Sequence, residues 1–159
     1  MNTVVRIICV SLLFLLGACS KNSSDEVLQA DVVAENAIQR YLLDHNQTAT
    51  RDVSGLYYIV LKPGDSTHFV KATSIPSVIY TNYLITGEVV GVSLGDTDFD
   101  QRMMKNHILG WQIGLQKISQ GGKIRLYIPS NLAYGSVGVP GIIPPNAILI
   151  SDLELVSIR

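Results

Sequence analysis

The chain has 159 residues, a length that suits one domain with a short extension. Hydrophobic residues make up 47% of it, enough to bury a core, and 12 basic against 13 acidic side chains leave a formal net charge of -1. This balance gives no basic patch for nucleic acid, and His45, His68 and His107 lack the spacing of metal ligands, so we expect neither a metal nor a cofactor.

The first residues are typical of an export signal. Arg6 is followed by an apolar run over residues 7–16, which matches a signal-peptide core in length and is too short to span a bilayer as a helix. Small residues then stand directly before Cys19, an ending that resembles the bacterial lipoprotein signal, in which the cysteine is lipidated and becomes the new first residue. We therefore predict a lipoprotein signal peptide at residues 1–18 and lipidation of Cys19. The alternative is an ordinary signal peptide followed by a chance cysteine.

The cysteine count supports the lipidated form. Cys9 lies inside the apolar run and leaves with the signal, so Cys19 is the sole cysteine of the exported chain and has no partner for an internal disulfide. Several acyl chains on one residue hold a protein at a membrane far more firmly than one chain does. The predicted location is therefore the bacterial cell envelope, with the protein lipid-anchored to a membrane and either periplasmic or surface-exposed.

A short polar tether at residues 19–26 leads into a predicted N-terminal helical segment at residues 27–53. The alternative for the tether is a sorting signal carried by its charged residues. The helix itself is predicted from Val27 to Asn46, with apolar residues that fall on one face because they recur at helical spacing: Val33, Ala34, Ala37, Ile38, Tyr41 and Leu42. We expect that face to pack on the chain's own domain. The alternative is a homodimer in which the helix pairs with a second copy.

Strand patterns and one helix pattern fill the rest of the chain, residues 54–159, after a polar turn at residues 48–54. Strands are predicted at residues 55–61, 77–85, 123–128 and 147–158, with a further strand that begins at Val89 and a loop at residues 94–101. A short amphipathic helix is predicted from His107 to Ile118, because Trp111 and Leu115 fall on the same face of it. One helix within a mostly β chain indicates an α+β fold.

Five short motifs follow one another after Asn106. They are, in order, Gly110-Trp111, Gly121-Gly122-Lys123, Ile128-Pro129, Ala133-Tyr134-Gly135 and Pro140-Gly141-Ile142-Ile143-Pro144-Pro145. Their order and spacing resemble the C-terminal half of an FKBP domain, the immunophilin type of peptidyl-prolyl cis-trans isomerase. The resemblance covers about residues 54–159 and implies a twisted antiparallel β-sheet wrapped around a short central helix. It also implies an enzyme that assists the folding of exported proteins, with proline-containing polypeptides as its partners.

The chemistry of proline isomerisation needs an apolar pocket more than it needs reactive groups. An X-Pro amide is planar because its nitrogen shares a lone pair with the carbonyl, and rotation about the bond costs roughly 18–20 kcal/mol. Twisting the bond removes this resonance and leaves the carbonyl less polar, so an apolar pocket favours the twisted state over the planar one. A hydrophobic floor for the proline ring, aromatic walls and a few hydrogen-bond donors are therefore sufficient, and no cofactor is required.

The resemblance assigns site residues at matching positions. Trp111, in the Gly-Trp pair, corresponds to the floor of the family's pocket; the alternative is a plain core tryptophan. Tyr134 matches a tyrosine that donates a hydrogen bond to the bound peptide, and Tyr80 matches the tyrosine of the family's Tyr-Thr-Gly strand, so these three are the candidate catalytic residues. The candidate substrate-binding residues are Val90, Phe99, Ile108, Ile142, Ile143 and Ser151. His107, at a position that is usually apolar, is expected to be a surface substitution.

Three positions depart from the family's pattern. The family's Phe-Asp pair falls on Val90 and Gly91, which supply neither the aromatic ring nor the carboxylate, and Ser151 stands where the family has an aromatic wall. We therefore expect a wider and less enclosed apolar pocket with reduced isomerase activity, since a lost wall aromatic removes contact energy. The alternative function is a catalytically weak FKBP-like binding or assembly module of an envelope complex.

Overall fold

The structure is a computed structural model that describes residues 23–159, with the side chains of the first helix described from Gln29 onward. The predicted signal peptide, the lipidation site Cys19 and the first part of the predicted tether lie outside the described residues. Within the described part, no helix is both long enough and apolar enough to cross a membrane.

One antiparallel sheet of six strands forms the body of the domain, in the spatial order β1-β2-β5-β6-β3-β4. The strands are β1 (Thr50–Arg51), β2 (Tyr57–Lys62), β3 (Pro76–Leu84), β4 (Val89–Val92), β5 (Lys123–Ile128) and β6 (Leu149–Ile158). Strand β6 is central, because it pairs with β5 along one edge and with β3 along the other. The predicted α+β fold, an antiparallel sheet with a short central helix and an N-terminal helix, is confirmed.

Strand β6 separates two apolar clusters because successive residues of a strand point to opposite faces of the sheet. Leu153 and Leu155 belong to the main core beside the central helix, whereas Ile150 belongs to the cluster beside the N-terminal helix. The register between β6 and β3 places Ser151 opposite Asn82. The sheet therefore brings two polar residues from neighbouring strands together within its main core side.

The central helix α2 (Leu109–Gly114) is shorter than the predicted range of residues 107–118. Single 3₁₀ turns flank it at Met104–Asn106 and Leu115–Lys117. Two glycines within its six residues lower its helix propensity, and they are there for packing. A Cβ on Gly110 would come within 2.4 Å of Ile128 Cγ2, so only glycine lets the helix lie this close to β5. The next residue, Trp111, is thereby held in the core at 4% exposure.

The N-terminal helix α1 (Ser23–Asp44) begins inside the predicted tether and packs on the other face of the sheet. Three of its apolar residues are buried there: Ala34, Ile38 and Leu42. Glu35 beside them accepts hydrogen bonds from the Tyr57 hydroxyl and from Arg51 Nε, both at 2.9 Å. The expected packing on the chain's own domain is confirmed, although Val33 of the same face is 63% exposed. The homodimer through this helix stays a prediction.

The polar turn predicted at residues 48–54 contains an edge strand instead. Strand β1 pairs Thr50 with Tyr58 and Arg51 with Tyr57, antiparallel to β2. Both residues of β1 are exposed, so no alternation of apolar and polar residues marks the strand in the sequence. It forms because its backbone groups find hydrogen-bond partners on β2.

Candidate functional site

A cavity of about 240 Å³ opens beside the start of α2, next to strand β3. It is lined by Tyr80, Asn82, Phe99, Arg102, Asn106, His107, Ile108, Trp111 and Tyr134. A larger hollow of about 710 Å³ lies next to it along the loop of residues 92–100, and it shares Tyr80 and Phe99 with the first. The smaller cavity is the candidate site, because five aromatic side chains converge on it, whereas a polar loop forms most of the larger one.

Trp111 contributes the most deeply buried ring of the cavity. The Tyr80 ring meets it edge-on at a centroid distance of 5.3 Å, and the Phe99 ring does so at 5.7 Å. Edge-on contacts of this kind are favourable because the positive edge of one ring faces the negative face of the other. The indole Nε1 donates a hydrogen bond to Ser151 Oγ at 3.1 Å, so the only polar atom of the ring is satisfied inside the core.

Phe99 reaches the cavity from a strained loop. Phe99 and the two residues after it have φ values of 50°, 58° and 64°, a left-handed conformation that residues with side chains rarely adopt. Local hydrogen bonds hold this turn: Phe99 N donates to Thr97 Oγ1 at 3.1 Å, and Gln101 N donates to Asp98 Oδ1 at 3.3 Å. The result is a Phe99 ring stacked on Tyr80 at 5.4 Å, which extends the aromatic wall beside Trp111.

Tyr134 stands at the rim of the cavity, in the loop that follows β5. It is 38% exposed, and one residue separates it from the 3₁₀ turn at Ser130–Leu132. Burial of part of the ring raises the pKa of the Tyr134 phenol above its ordinary value. The hydroxyl therefore keeps its proton at neutral pH and is able to donate a hydrogen bond to a ligand.

His107 lies inside the site, so the expectation of a surface substitution is wrong. Its ring stacks on Trp111 at 5.7 Å with an interplanar angle of 16°, and it meets Phe99 edge-on at 5.0 Å. Its Nε2 atom is buried and has no hydrogen-bond partner among the described residues. Desolvation lowers the pKa of His107, and the nearby positive charge of Arg102 acts in the same direction while a hydrogen bond to the Arg102 backbone opposes it. The imidazole is therefore neutral at pH 7 and acts as one more flat ring.

Five of the predicted site residues line the cavity: Tyr80, Phe99, Ile108, Trp111 and Tyr134. The other four do not line it. Val90 is half-buried and packs against the main core, Ile143 is buried in that core, and Ile142 is 55% exposed. Ser151 is fully buried on β6, in contact with the indole nitrogen of Trp111. The part that these four play in binding a substrate stays a prediction.

Sequence reasoning missed Asn82, which lines the cavity from β3. Its side-chain oxygen accepts a hydrogen bond of 2.6 Å from Ser151 Oγ, the same atom that accepts from Trp111 Nε1. The position where the family has an aromatic wall is thus filled by a hydrogen-bonded pair. The signal was present in the sequence, because Tyr80 and Asn82 are two residues apart in one strand and therefore share a face. Asparagine here also replaces the glycine of the family's Tyr-Thr-Gly strand.

Gly91 lies opposite Asn82 in the pairing of β4 with β3. A Cβ at residue 91 would lie 3.5 Å from Tyr80 Cε2 and 3.6 Å from Asn82 Nδ2, which are ordinary contact distances. The position where the family carries an aspartate therefore borders the Tyr80 ring, and in this chain it contributes no side chain.

The site as a whole offers binding groups. Aromatic rings and Ile108 give the cavity its apolar surface, and its polar groups are two phenols, two side-chain amides, the His107 imidazole and the Arg102 guanidinium. Within the described residues, no three or more His, Cys, Asp and Glu side chains come together as a metal site. An arrangement of this kind acts on a peptide by desolvating it and by fixing its backbone with hydrogen bonds.

The fold and this site place the chain in a known class: it belongs to the FKBP-type peptidyl-prolyl cis-trans isomerase family, whose family model matches residues 67–156. Every residue that lines the cavity falls within the matched range. The predicted resemblance to this family is therefore confirmed.

Three relatives illustrate the match. FK506-binding protein 1 of Kluyveromyces lactis is 40% identical over 101 residues, which cover 62% of this chain and 89% of that protein. The FKBP-type peptidyl-prolyl cis-trans isomerase FkpA of Buchnera aphidicola (subsp. Schizaphis graminum) is 39% identical over 129 residues, 79% of this chain and 51% of that protein. The crystal structure of a peptidyl-prolyl cis-trans isomerase from Pseudomonas syringae superposes with a TM-score of 0.67 at 27% identity, and covers 80% of this chain and 94% of that one. The chain thus spans about half the length of the FkpA relative.

Proposed function

We propose that the protein is a peptidyl-prolyl cis-trans isomerase that assists the folding of exported proteins, with lower activity than a complete FKBP pocket gives. One observation carries the proposal: the rings of Trp111, Tyr80 and Phe99 meet edge-on or stacked around one cavity of about 240 Å³. Such a cavity offers a proline ring apolar contact while the flanking peptide lies across the rim. Membership of the isomerase family supports the same reading.

The residues act on the shape and polarity of the peptide bond rather than on its covalent chemistry. The aromatic surface of Trp111 and Tyr80 replaces water around the proline ring and the X-Pro amide. The planar amide is the more polar form and loses more solvation there than the twisted form does, so the barrier falls. The Tyr134 hydroxyl donates a hydrogen bond to the peptide backbone and holds the chain while the bond rotates.

The reduced activity follows from the side of the cavity where the family's groups are missing. Val90 and Gly91 provide neither a phenyl ring nor a carboxylate. Ser151 is hydrogen-bonded to Trp111 and Asn82, and it contributes no aromatic ring to the wall of the cavity. The peptide is therefore enclosed on fewer sides than in a site with those groups. Because enclosure excludes water, incomplete enclosure weakens the preference for the twisted amide.

The second candidate function is a binding or assembly module of an envelope complex, with little catalysis. The hydrogen-bonded pair of Asn82 and Ser151 favours it, since polar groups stabilise the planar, more polar amide and so bind a peptide without lowering its rotation barrier. The two functions differ in one measurement. An isomerase speeds the cis-trans exchange of the peptide Ala-Leu-Pro-Phe, whereas a pure binding module binds the peptide and leaves its exchange rate unchanged.

The test is therefore an isomerisation assay on the purified protein and on Tyr134→Phe, with Tyr83→Phe as a matched control. Tyr83 lies on β3 in the cluster beside α1 and does not line the cavity. We expect measurable activity that drops about three- to tenfold in Tyr134→Phe, the usual effect of one lost hydrogen bond, and is unchanged in Tyr83→Phe. Absence of exchange above the spontaneous rate, with peptide binding intact, would select the binding module.

We further propose that the protein is held in the cell envelope through a lipid on Cys19, after removal of residues 1–18. Small residues stand directly before Cys19, and Cys19 is the only cysteine left once residues 1–18 are removed. Residues 19–26 then form the link to the membrane, with the helical segment of residues 27–53 and the FKBP-like domain of residues 54–159 beyond it. Cys19→Ala should abolish fatty-acyl labelling and release the protein from the membrane fraction. Unchanged membrane retention without another anchor would contradict the lipid anchor.

A further inference from the structure

We infer that Asn82 presents a side-chain N–H donor to the cavity and uses it to bind a backbone carbonyl oxygen of the prolyl peptide. This inference rests on the proposed function and adds to it a residue that decides which ligands fit. Hydrogen bonds join Trp111, Ser151 and Asn82 across three elements of the fold.

The direction of these hydrogen bonds is fixed by the donor at one end. An indole N–H is a donor only, so Ser151 Oγ must accept the hydrogen bond from Trp111 Nε1. Ser151 is fully buried, and its single hydroxyl proton is then left for Asn82. The separation of 2.6 Å between Ser151 Oγ and the Asn82 side chain suits an O–H···O bond better than an N–H···O bond, which is usually longer. The Asn82 amide therefore turns its oxygen to Ser151 and its NH₂ group away from it.

The NH₂ group of Asn82 faces the side of the cavity where the family's carboxylate is missing. A Cβ at residue 91 would lie 3.6 Å from Asn82 Nδ2, so the glycine there leaves the amide uncovered. Asn82 is only half-buried and lines the same cavity as Trp111 and Tyr134. Its donor is therefore within the space that a bound peptide enters.

The chemistry of this donor defines the ligand group that it recognises. A neutral N–H donor pairs with an acceptor, and backbone carbonyl oxygens are the acceptors that every prolyl peptide carries. A carboxylate on β4, as in the family's pattern, would present an acceptor at the same side of the cavity. This chain has Gly91 where the family has an aspartate, and Asn82 where the family has a glycine. The wall therefore presents a hydrogen-bond donor instead of an acceptor. Ligands with an acceptor here gain affinity, and ligands with a donor lose it.

Two substitutions with the same number of side-chain heavy atoms separate the effect of the N–H donor from the effect of side-chain shape. Asn82→Asp keeps the oxygen that Ser151 reaches and replaces the NH₂ donor by an acceptor oxygen, whereas Asn82→Leu removes both groups. Binding of Ala-Leu-Pro-Phe to the full chain is followed by Trp111 fluorescence, since Trp111 is the only tryptophan. We expect Asn82→Leu to weaken binding about three- to tenfold and Asn82→Asp to weaken it more, because a carboxylate repels a carbonyl oxygen.

The pH dependence of Asn82→Asp gives a readout that a structural role would not move. As the pH falls through about 3.9, the ordinary pKa of an aspartate, the introduced carboxyl group gains a proton and becomes a donor. The affinity deficit of Asn82→Asp relative to the unmodified protein should then shrink, while that of Asn82→Leu stays constant. Comparison at each pH with the unmodified protein removes the effect of protonating His107, which is present in all three.

Thioamide peptides test the same contact from the side of the ligand. Each analogue of Ala-Leu-Pro-Phe carries sulfur in place of one backbone carbonyl oxygen, and sulfur is the weaker acceptor. Because the Tyr134 hydroxyl is also proposed to bind a backbone carbonyl, the analogues are compared in the unmodified protein, Tyr134→Phe and Asn82→Leu. We expect one analogue that binds about three- to tenfold less tightly than the parent peptide in the unmodified protein and in Tyr134→Phe, and equally tightly in Asn82→Leu.

If no thioamide analogue distinguishes the unmodified protein from Asn82→Leu, and Asn82→Asp shows no recovery at low pH, the inference alone is overturned. Persistence of every thioamide preference, undiminished, in Asn82→Leu would also overturn it, because Tyr134 or another group would then hold those carbonyl oxygens. Failure of the unmodified protein to bind any of the peptides would overturn the inference and the proposed function together.

Discussion

The two sides of the cavity are built from different chemistry. On one side Trp111, Tyr80, Phe99 and His107 pack ring against ring, with centroid distances between 5.0 and 5.7 Å. On the other side Asn82 and Ser151 form a hydrogen-bonded pair, and Gly91 contributes no side chain. Trp111 belongs to both sides, because its ring faces the aromatic wall and its Nε1 donates to Ser151.

This contrast shows how one wall of a pocket can become polar while the domain keeps its fold. A serine in place of an aromatic wall residue creates no unsatisfied group, because its hydroxyl accepts from the indole and donates to Asn82. A buried polar group is tolerated when all its hydrogen bonds are made. The aromatic side supplies the apolar surface, and the polar side supplies hydrogen-bonding groups that orient a bound peptide. Each of the following variants acts on one side or on the residue that joins them.

The largest effect is expected from Trp111→Ala, which removes the residue common to both sides. The side chain is 4% exposed within the main core, so its loss leaves a large cavity. We expect the free energy of unfolding to fall by about 3–5 kcal/mol and peptide binding to disappear. Urea denaturation measures the first, and calorimetric titration with Ala-Leu-Pro-Phe measures the second. Phe69→Ala serves as the control, since Phe69 is an aromatic residue that is 50% exposed and outside the cavity. A loss no larger than that of the control would show that Trp111 does not join the two sides.

Ser151→Ala breaks the polar side and leaves the rings in place. It leaves two groups in or beside the core without their hydrogen-bond partner, namely the Trp111 indole N–H and the Asn82 side-chain oxygen. We expect the free energy of unfolding to fall by about 1–3 kcal/mol, the usual penalty for leaving a buried polar group unpaired. Ser157→Ala is the matched control on the same strand, where the serine is partly exposed, and it should change stability by less than about 0.5 kcal/mol. Stability equal to that of the unmodified protein would mean that the polar pair is incidental.

Restoring the family's groups should convert the polar side into a second aromatic wall. The substitutions are Val90→Phe, Gly91→Asp and Ser151→Phe, and the 2.6 Å hydrogen bond between Ser151 and Asn82 shows that Asn82→Gly must accompany them to make room. We expect the isomerisation rate of Ala-Leu-Pro-Phe to rise about tenfold, the equivalent of roughly 1.4 kcal/mol of barrier.

Val92→Phe is the control for this variant, since it adds a ring to an exposed position of the same strand β4. Circular dichroism and unfolding curves check that both proteins are folded. If the variant with all four substitutions is folded and gains no activity, the matching of this chain's residues to the family's pocket positions across the loop of residues 94–101 is wrong.

The smallest effect concerns the protonation of His107 on the aromatic side. Desolvation lowers the pKa of His107 below the ordinary 6.5, so the unfolded chain takes up a proton more readily than the folded protein does. Stability should therefore be full above pH 6.5 and fall as the pH drops through 6.5 toward the lowered pKa. His107→Val should remove this part of the pH dependence, and His45→Gln, on an exposed residue, should keep it. Identical pH profiles for His107→Val and the unmodified protein would contradict the buried, neutral imidazole.

Much of the fold follows from local patterns in the sequence. The pattern of residues 147–158 predicts a strand, which the structure places at Leu149–Ile158 in the middle of the sheet. The Gly110-Trp111 pair within an amphipathic stretch predicts the central helix, and the order of motifs after Asn106 predicts the family. These features are readable because strand alternation, glycine and proline turns and helical spacing are properties of neighbouring residues. The edge strand Thr50–Arg51 is missed, since its partners lie on β2 and its own residues carry no pattern.

The sequence by itself determined the aromatic half of the site apart from His107, because the motif positions of Trp111, Tyr80 and Tyr134 already identify those rings. Only the tertiary structure decided the other half. Ser151 and Asn82 are 69 residues apart, and the pairing of β6 with β3 makes them neighbours beneath the indole of Trp111. Sequence reasoning therefore treated Ser151 as a missing ring and did not consider Asn82 at all. A hydrogen bond depends on which atoms face each other across the sheet, and that register is set only when the whole sheet has formed.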